Sequence, residues 1–284
     1  MTLQIVPIQT GTALIKPSQA RAVGHGAERM ANIFADPTWT PPLPILAWAI
    51  VHPDGVFVVD TGETARAMEP GYYPEAHPYY KYALRVQVTP EEEIGARLAD
   101  AGFAPRDVRS VLLTHLHTDH SGGLHHFPES TILVHEREWQ NAQGDAGIAR
   151  GYLRHRWPSW FAPQSYTFAD DPIGPFPQSQ RITADGSIRV VPTPGHTPGH
   201  ASVIVQSDGV YYFLAGDATY AEDTLLEEAV DGVSPDEAEA LQTIRAIGEF
   251  VREFPTVYLP THDVRSVERL QARQFTRGAA GSQP

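Results

Sequence analysis

Four side chains able to bind a metal fall within six positions, in His115-Leu116-His117-Thr118-Asp119-His120, and three more follow far downstream at His196, Asp217 and His262. Alternation along an extended backbone points His115 and His117 the same way, and a turn straight after them can swing Asp119 and His120 toward a second position. One catalytic zinc needs about three protein ligands and an open position for water. Seven ligands exceed that need and suit two divalent metals sharing a carboxylate and a hydroxide. The chain has 13 histidines, so some accidental proximity is expected. The hexapeptide, however, follows Ser110-Val111-Leu112-Leu113-Thr114, which reads as a buried strand, and precedes Ser121-Gly122-Gly123. A strand end running into a glycine turn is where α/β proteins commonly place their chemistry.

The elements that must position these residues alternate strand with helix. Pro44 to Val51 and Val56 to Val59 read as paired strands joined at His52-Pro53-Asp54-Gly55. Thr89, Pro90 and Glu92 form a capping box for a helix that Gly102 ends, with Ile94, Leu98 and Ala101 on its apolar side. Ile188 to Val191 leads into His196. Ala201 to Val205 and Val210 to Leu214 form a hairpin turning at Ser207-Asp208-Gly209. Ser234, Pro235 and Glu237 repeat the capping logic for a helix through Phe254, with Leu241, Ile244, Phe250 and Val251 inward. Thr256 to Leu259 is a last strand delivering His262. Each ligand cluster therefore sits just past a strand end.

The chain of 284 residues reads as one domain, 1–284, with two aromatic-rich excursions at about 67–82 and 139–185. Such excursions can line a hydrophobic pocket, form a homodimer face or pack on the body. A net charge of −13 argues against a nucleic-acid surface. There are no cysteines, which excludes disulfides, Cys-ligated zinc and thiol catalysis. No leader pattern is visible at Met1 to Val6 and no apolar run approaches the ~20 residues of a membrane span, so a cytoplasmic protein is expected.

The ligand set His115, His117, Asp119, His120, His196, Asp217 and His262 resembles that of the metallo-β-lactamase superfamily, from the Val59-Asp60-Thr61-Gly62 turn to Thr261-His262-Asp263. Thr193-Pro194-Gly195-His196-Thr197-Pro198-Gly199-His200, Gly216-Asp217-Ala218-Thr219-Tyr220 and His262-Asp263 are most similar to the N-acyl homoserine lactonases of that superfamily. The resemblance implies an α/β fold of the four-layer αββα sandwich type. It implies that His115, His117 and His196 bind one metal, that Asp119, His120 and His262 bind the other, and that Asp217 bridges. Asp60 resembles the aspartate that orients a ligand histidine, and His200 reads as structural. Thr118 departs from the pattern, standing where such lactonases often carry a bulky aromatic. His25, His52, His77, His125, His126, His135 and His155 read as ordinary.

The activity implied is metal-dependent opening of a lactone ring, in N-acyl homoserine lactones, by attack of a metal-bridging hydroxide. Tyr220 would stabilise the oxyanion and Asp119 would carry the proton to the leaving alkoxide. Zinc is the expected metal; cobalt, manganese and iron are also compatible with His/Asp ligands. The alternatives keep the metals and change the substrate: another lactone or ester, a phosphotriester, or a thioester of the glyoxalase II type, for which no basic cluster stands ready. A purely structural metal pair is the reading from another class, and open coordination positions argue against it.

Overall fold

The computed structural model describes residues 3–276; Met1 and Thr2, part of the segment read for a leader, lie outside them. Among the described residues, twelve strands form two sheets. In chain order they are β1 (Gln4–Ile15), β2 (Leu43–His52), β3 (Gly55–Val59), β4 (Leu84–Gln87), β5 (Val108–Leu112), β6 (Thr131–His135), β7 (Gln164–Tyr166), β8 (Gln180–Arg181), β9 (Ile188–Pro192), β10 (Ala201–Ser207), β11 (Val210–Gly216) and β12 (Thr256–Pro260). The first sheet runs β4-β1-β2-β3-β5-β6-β7 and the second β12-β11-β10-β9-β8.

Alternation along each strand builds three apolar layers. On β2, Leu46, Trp48 and Ile50 face inward and meet Val190, Val203, Leu214 and Leu259 of the other sheet. Ala47 and Ala49, one residue out of phase, face outward and share a core with Ile94 and Leu98 of the helix Ile94–Asp100. On the far side, Ile204, Phe213 and Tyr258 pack under Ile244, Ile247 and Phe250 of the helix Glu237–Glu253. Strands covered on both faces read as continuous apolar runs, which is why Leu43–His52 shows little polar alternation. The layers are helix, sheet, sheet, helix, as the resemblance implies.

Four local expectations need correction. The capping box at Thr89 forms, with the Thr89 N–H donating to Glu92 at 2.9 Å, but it opens only a short 3-10 turn, Pro90–Glu92. Glu93 is extended, and the α-helix starts at Ile94. The physical reason is its carboxylate, which accepts from Thr64 Oγ1 and the Ala65 N–H across the chain at 3.0 and 2.7 Å. The second helix is capped by Asp236, which accepts from Ala238 and Glu239, and not by Ser234. In that helix Ile244, Phe250 and Val251 are buried as expected, while Leu241 is half-buried. The strand before the metal motif ends at Leu112, so His115 and His117 stand on irregular backbone and only Thr118–Ser121 is helical.

The hairpins hold. Register pairs His52 with Gly55 and Ser207 with Val210, leaving two-residue loops at Pro53-Asp54 and Asp208-Gly209. Both loop residues of the second have positive φ, as a type I′ turn requires.

Gly62 fixes the turn that carries Asp60. Its φ is +67°, and a Cβ there would lie 1.8 Å from Thr10 Oγ1. Gly62→Ala therefore combines left-handed strain with overpacking, and we expect a loss of about 3 kcal/mol or more in urea unfolding. A loss under about 1 kcal/mol would show that the turn relaxes freely.

Candidate metal centre and substrate cavity

The ligand-bearing segments leave carboxyl ends of strands on one rim: the hexapeptide after β5, His196 after β9, Asp217 after β11 and His262 after β12. Gly216 ends β11 at φ +57°, against Thr114 and His200, where a Cβ would come within 2.9 Å of both side chains. His200 Nε2 accepts the Asp217 N–H at 3.1 Å, and burial pushes this imidazole down to about 3. It is a neutral structural acceptor, as its position implies.

All seven sequence-predicted ligands come together. His115 Nε2 lies 3.1 Å from His117 Nδ1, which lies 3.0 Å from His196 Nε2. Asp119 Oδ2 is 3.4 Å from His262 Nε2, and Asp119 Oδ1 is 3.9 Å from His120 Nε2. Asp217 stands between the groups: its Oδ2 is 3.5 Å from His196 Nε2, and its Oδ1 is 3.3 and 3.4 Å from His120 and His262 Nε2.

The outer ring nitrogens decide what the inner ones can do. His120 Nδ1 is held by Asp60 at 2.8 Å, His196 Nδ1 by Asp231 at 3.1 Å, and His262 Nδ1 by the Pro44 carbonyl at 2.9 Å. His117 uses Nε2 on the Arg150 carbonyl at 3.2 Å. In neutral imidazoles with the outer nitrogen donating, each inward nitrogen is a bare lone pair. Lone pairs 3.0–3.1 Å apart with no shared proton repel unless a cation lies among them. Burial, then neighbouring histidines, holds His115 well below its ordinary range and His117 at about 4, so both are neutral donors. His120 Nε2 and Asp217 Oδ1 are buried without a hydrogen-bond partner. Burial alone would raise Asp119, but facing His120 and His262 hold it down at about 2. Burial would lower His120, His196 and His262 as well, but Asp217, Asp119 and Asp231 beside them hold all three above the ordinary range, so the carboxylates favour positive charge among these nitrogens. Neutral His115 and His117, ionised carboxylates and orphaned buried atoms fit divalent metal ions there.

Beside this cluster lies a cavity of about 530 Å³. His117, Asp119, Asp217, His262 and Tyr220 form its polar floor, while Ile15, Met30, Leu43, Leu84 and Val233 give apolar walls. Tyr220 is buried and stacks on His262, with ring centroids 5.5 Å apart and 18° between planes. Thr118, where an aromatic was the pattern, lines the same cavity. A second hollow of about 590 Å³ shares Met30, His77, Tyr79 and Ala149 with it and adds Phe34 and Ile148.

The excursions divide their labour. Tyr79 and Tyr80 of the first, and Tyr152 of the second, line the cavity. Trp139, Trp157 and Phe161 instead pack on one another and on the body, with ring centroids 5.2–5.7 Å apart.

Sequence reasoning missed three residues at the site. Asp231, which holds His196, lies in a segment with no motif and becomes meaningful only through a contact across 35 residues. Gln19 sits on the short helix Pro17–Ala20, and its Nε2 donates to the hydroxyls of Tyr79 and Tyr220, each at 2.9 Å. Tyr79 had a signal in the aromatic excursion, without a role. His125 and His126, read as ordinary, both reach Glu93 Oε2, at 3.1 and 2.7 Å, away from the centre.

A four-layer αββα sandwich with a histidine- and aspartate-rich centre on its sheet rim defines a metal-dependent hydrolase fold. The chain belongs to the metallo-beta-lactamase superfamily, whose family model matches residues 40–262. It is 29% identical to the N-acyl homoserine lactonase AttM of Azorhizobium caulinodans over 214 residues, 73% of this chain and 78% of that protein. It is 32% identical to the probable metallo-hydrolase Rv2300c of Mycobacterium tuberculosis over 177 residues, 61% of this chain and 56% of that one. A solved structure of a variant of B. thuringiensis AiiA, with N-decanoyl-L-homoserine at its active site, superposes with a TM-score of 0.75 at 21% identity, covering 94% of this chain and 96% of that one. At that identity the superposition speaks to the fold.

Proposed function

We propose that the protein opens the lactone ring of N-acyl homoserine lactones, with two zinc ions as the metals. His115, His117 and His196 would hold one metal, Asp119, His120 and His262 the other, with Asp217 shared. The observation that carries this reading is the placement of Tyr220 and five of the seven ligands, His117, Asp119, His196, Asp217 and His262, on the floor of an apolar-walled cavity. The lactonases among the relatives support it. When bound, the metals supply a water nucleophile activated near neutral pH and Lewis acidity toward the carbonyl.

The protein's own groups do the rest. The Tyr220 hydroxyl donates a hydrogen bond to the carbonyl oxygen as negative charge grows there, keeping its proton. Asp119 accepts a proton from the attacking water and delivers it to the ring oxygen as the carbon–oxygen bond breaks, yielding a hydroxy acid. The apolar walls receive the acyl chain, and the hollow beyond Met30 gives a long chain an exit.

The test is proton release by metal-loaded protein against N-acyl homoserine lactones of increasing chain length, with a phosphotriester and a thioester alongside. Turnover of lactones, extended to long chains, abolished by chelation and restored by zinc, is expected. Turnover of the phosphotriester alone would overturn the substrate assignment. Tyr220→Phe should lower kcat by roughly 10²-fold while both metals stay bound. A variant with unchanged kcat on every lactone would remove Tyr220 from the mechanism.

A further inference from the structure

The cavity holds two phenols whose protons find no acceptor among the described residues. Tyr72 and Tyr73 donate to the Glu63 carboxylate, at 3.3 and 2.9 Å, and Tyr80 donates to the Gly151 carbonyl at 2.6 Å. Tyr79 and Tyr220 differ. Each hydroxyl accepts a hydrogen bond from the same side-chain amide, Gln19 Nε2, at 2.9 Å. Neither has a protein acceptor among the described residues. A hydroxyl that accepts through one lone pair keeps its own proton to donate. Both rings line the substrate cavity, and Gln19 is buried at 2% exposure between them.

We infer that Gln19 aims a pair of donors, Tyr220 and Tyr79, into the cavity, making Tyr79 a second substrate-binding hydroxyl and Gln19 the positioning residue for both. The inference rests on the lactone reading of the cavity and deepens it. An N-acyl homoserine lactone carries two carbonyls, the ring ester and the side-chain amide. Tyr220, stacked on His262 and with its ring centroid 6.0 Å from that of His196, serves the ester oxygen that becomes an oxyanion. Tyr79 leads toward the apolar hollow that its ring also lines, and serves the acyl carbonyl. The ligand class selected is thus an ester with a second carbonyl several bonds away, in preference to a plain lactone.

The amide's orientation is the crux. With nitrogen toward the phenols their protons are free; with oxygen toward them both protons are consumed. Gln19→Glu offers only acceptors in nearly the same shape, and Gln19→Met offers neither. We expect kcat to fall about tenfold in both with unchanged metal content, Gln19→Met, which buries no charge, to keep its thermal midpoint, and Gln19→Met to add little in a Tyr220→Phe background. Tyr79→Phe should raise KM about fivefold for acylated lactones, and raise it less for an unsubstituted butyrolactone, which has no acyl carbonyl to bind. Gln19→Glu with wild-type kcat, or losses that add fully with Tyr220→Phe, would overturn the assignment. So would a Tyr79→Phe enzyme with unchanged KM for acylated lactones.

A calorimetric titration with hexanoate keeps the two readings separable. If the wild type opens no lactone, the proposed function falls. Hexanoate binding weakened severalfold by Gln19→Met, and no further by adding Tyr220→Phe, would still support the donor pair. Equal affinity in all variants would sink it.

Discussion

Asp217→Asn should leave less than two equivalents of bound metal and lower kcat/KM by roughly 10³-fold, about 4 kcal/mol in the barrier. The effect is large because one carboxylate faces both ligand groups. Its Oδ2 lies 3.5 Å from His196 and its Oδ1 3.3 and 3.4 Å from His120 and His262. An amide removes the negative charge and replaces one oxygen with a donor aimed at a bare nitrogen. Metal analysis after extensive dialysis, alongside lactone turnover, checks the expectation. A variant that retains two full equivalents would contradict the bridging assignment.

Asp60→Asn is expected to cost 10–100-fold in affinity for the metal at the His120 side, although Asp60 faces no metal itself. Asp60 is the residue at positive φ, 59°, at the end of β3. Asparagine tolerates that conformation, so the backbone survives the change. The side chain does not. Asp60 Oδ1 accepts the Thr114 N–H at 2.8 Å and Oδ2 accepts from His120 Nδ1 at 2.8 Å, while Thr114 Oγ1 reaches both oxygens. An amide satisfies one of these sides and confronts the other with a donor. If its NH2 faces His120, the ring must carry its proton on Nε2, the atom that faces Asp119 and Asp217. Competition against a chelator reads the affinity, and thermal unfolding of the apo protein separates lost orientation from lost stability. Metal affinity indistinguishable from the wild type would show that His120 is held by its burial alone.

The chemistry of the centre was written locally. His115, His117, Asp119 and His120 are close in sequence, so a strand end and one turn bring them within reach without long-range information. The strands carrying Asp217 and His262 announced themselves by apolar runs, and β-hairpin turns by glycine at positions of positive φ. Family resemblance added the order of the ligands and the role of Tyr220. Element ends were less legible. Glu93 belonged to a good capping segment, yet a carboxylate drawn to Thr64 and Ala65 broke the helix there. Propensity has no access to a partner 29 residues away.

What only the tertiary structure decided are contacts of long sequence separation between residues that carry no motif. Asp231 reaches His196 across 35 residues, and the Pro44 carbonyl reaches His262 across 218. Gln19 meets Tyr79 and Tyr220 across 60 and 201 residues. Each is a polar group that folding buries and must therefore pair, and the partner depends on how two sheets and their loops close on one another. Period and propensity encode which face of a strand is apolar; they do not encode which distant hydrogen-bonding group will lie opposite. The sequence alone picked out the seven side chains that cluster on the sheet rim, its resemblance to a family implied the sandwich that holds them, and the closed fold decided which nitrogen of each histidine points inward and which phenols line the cavity.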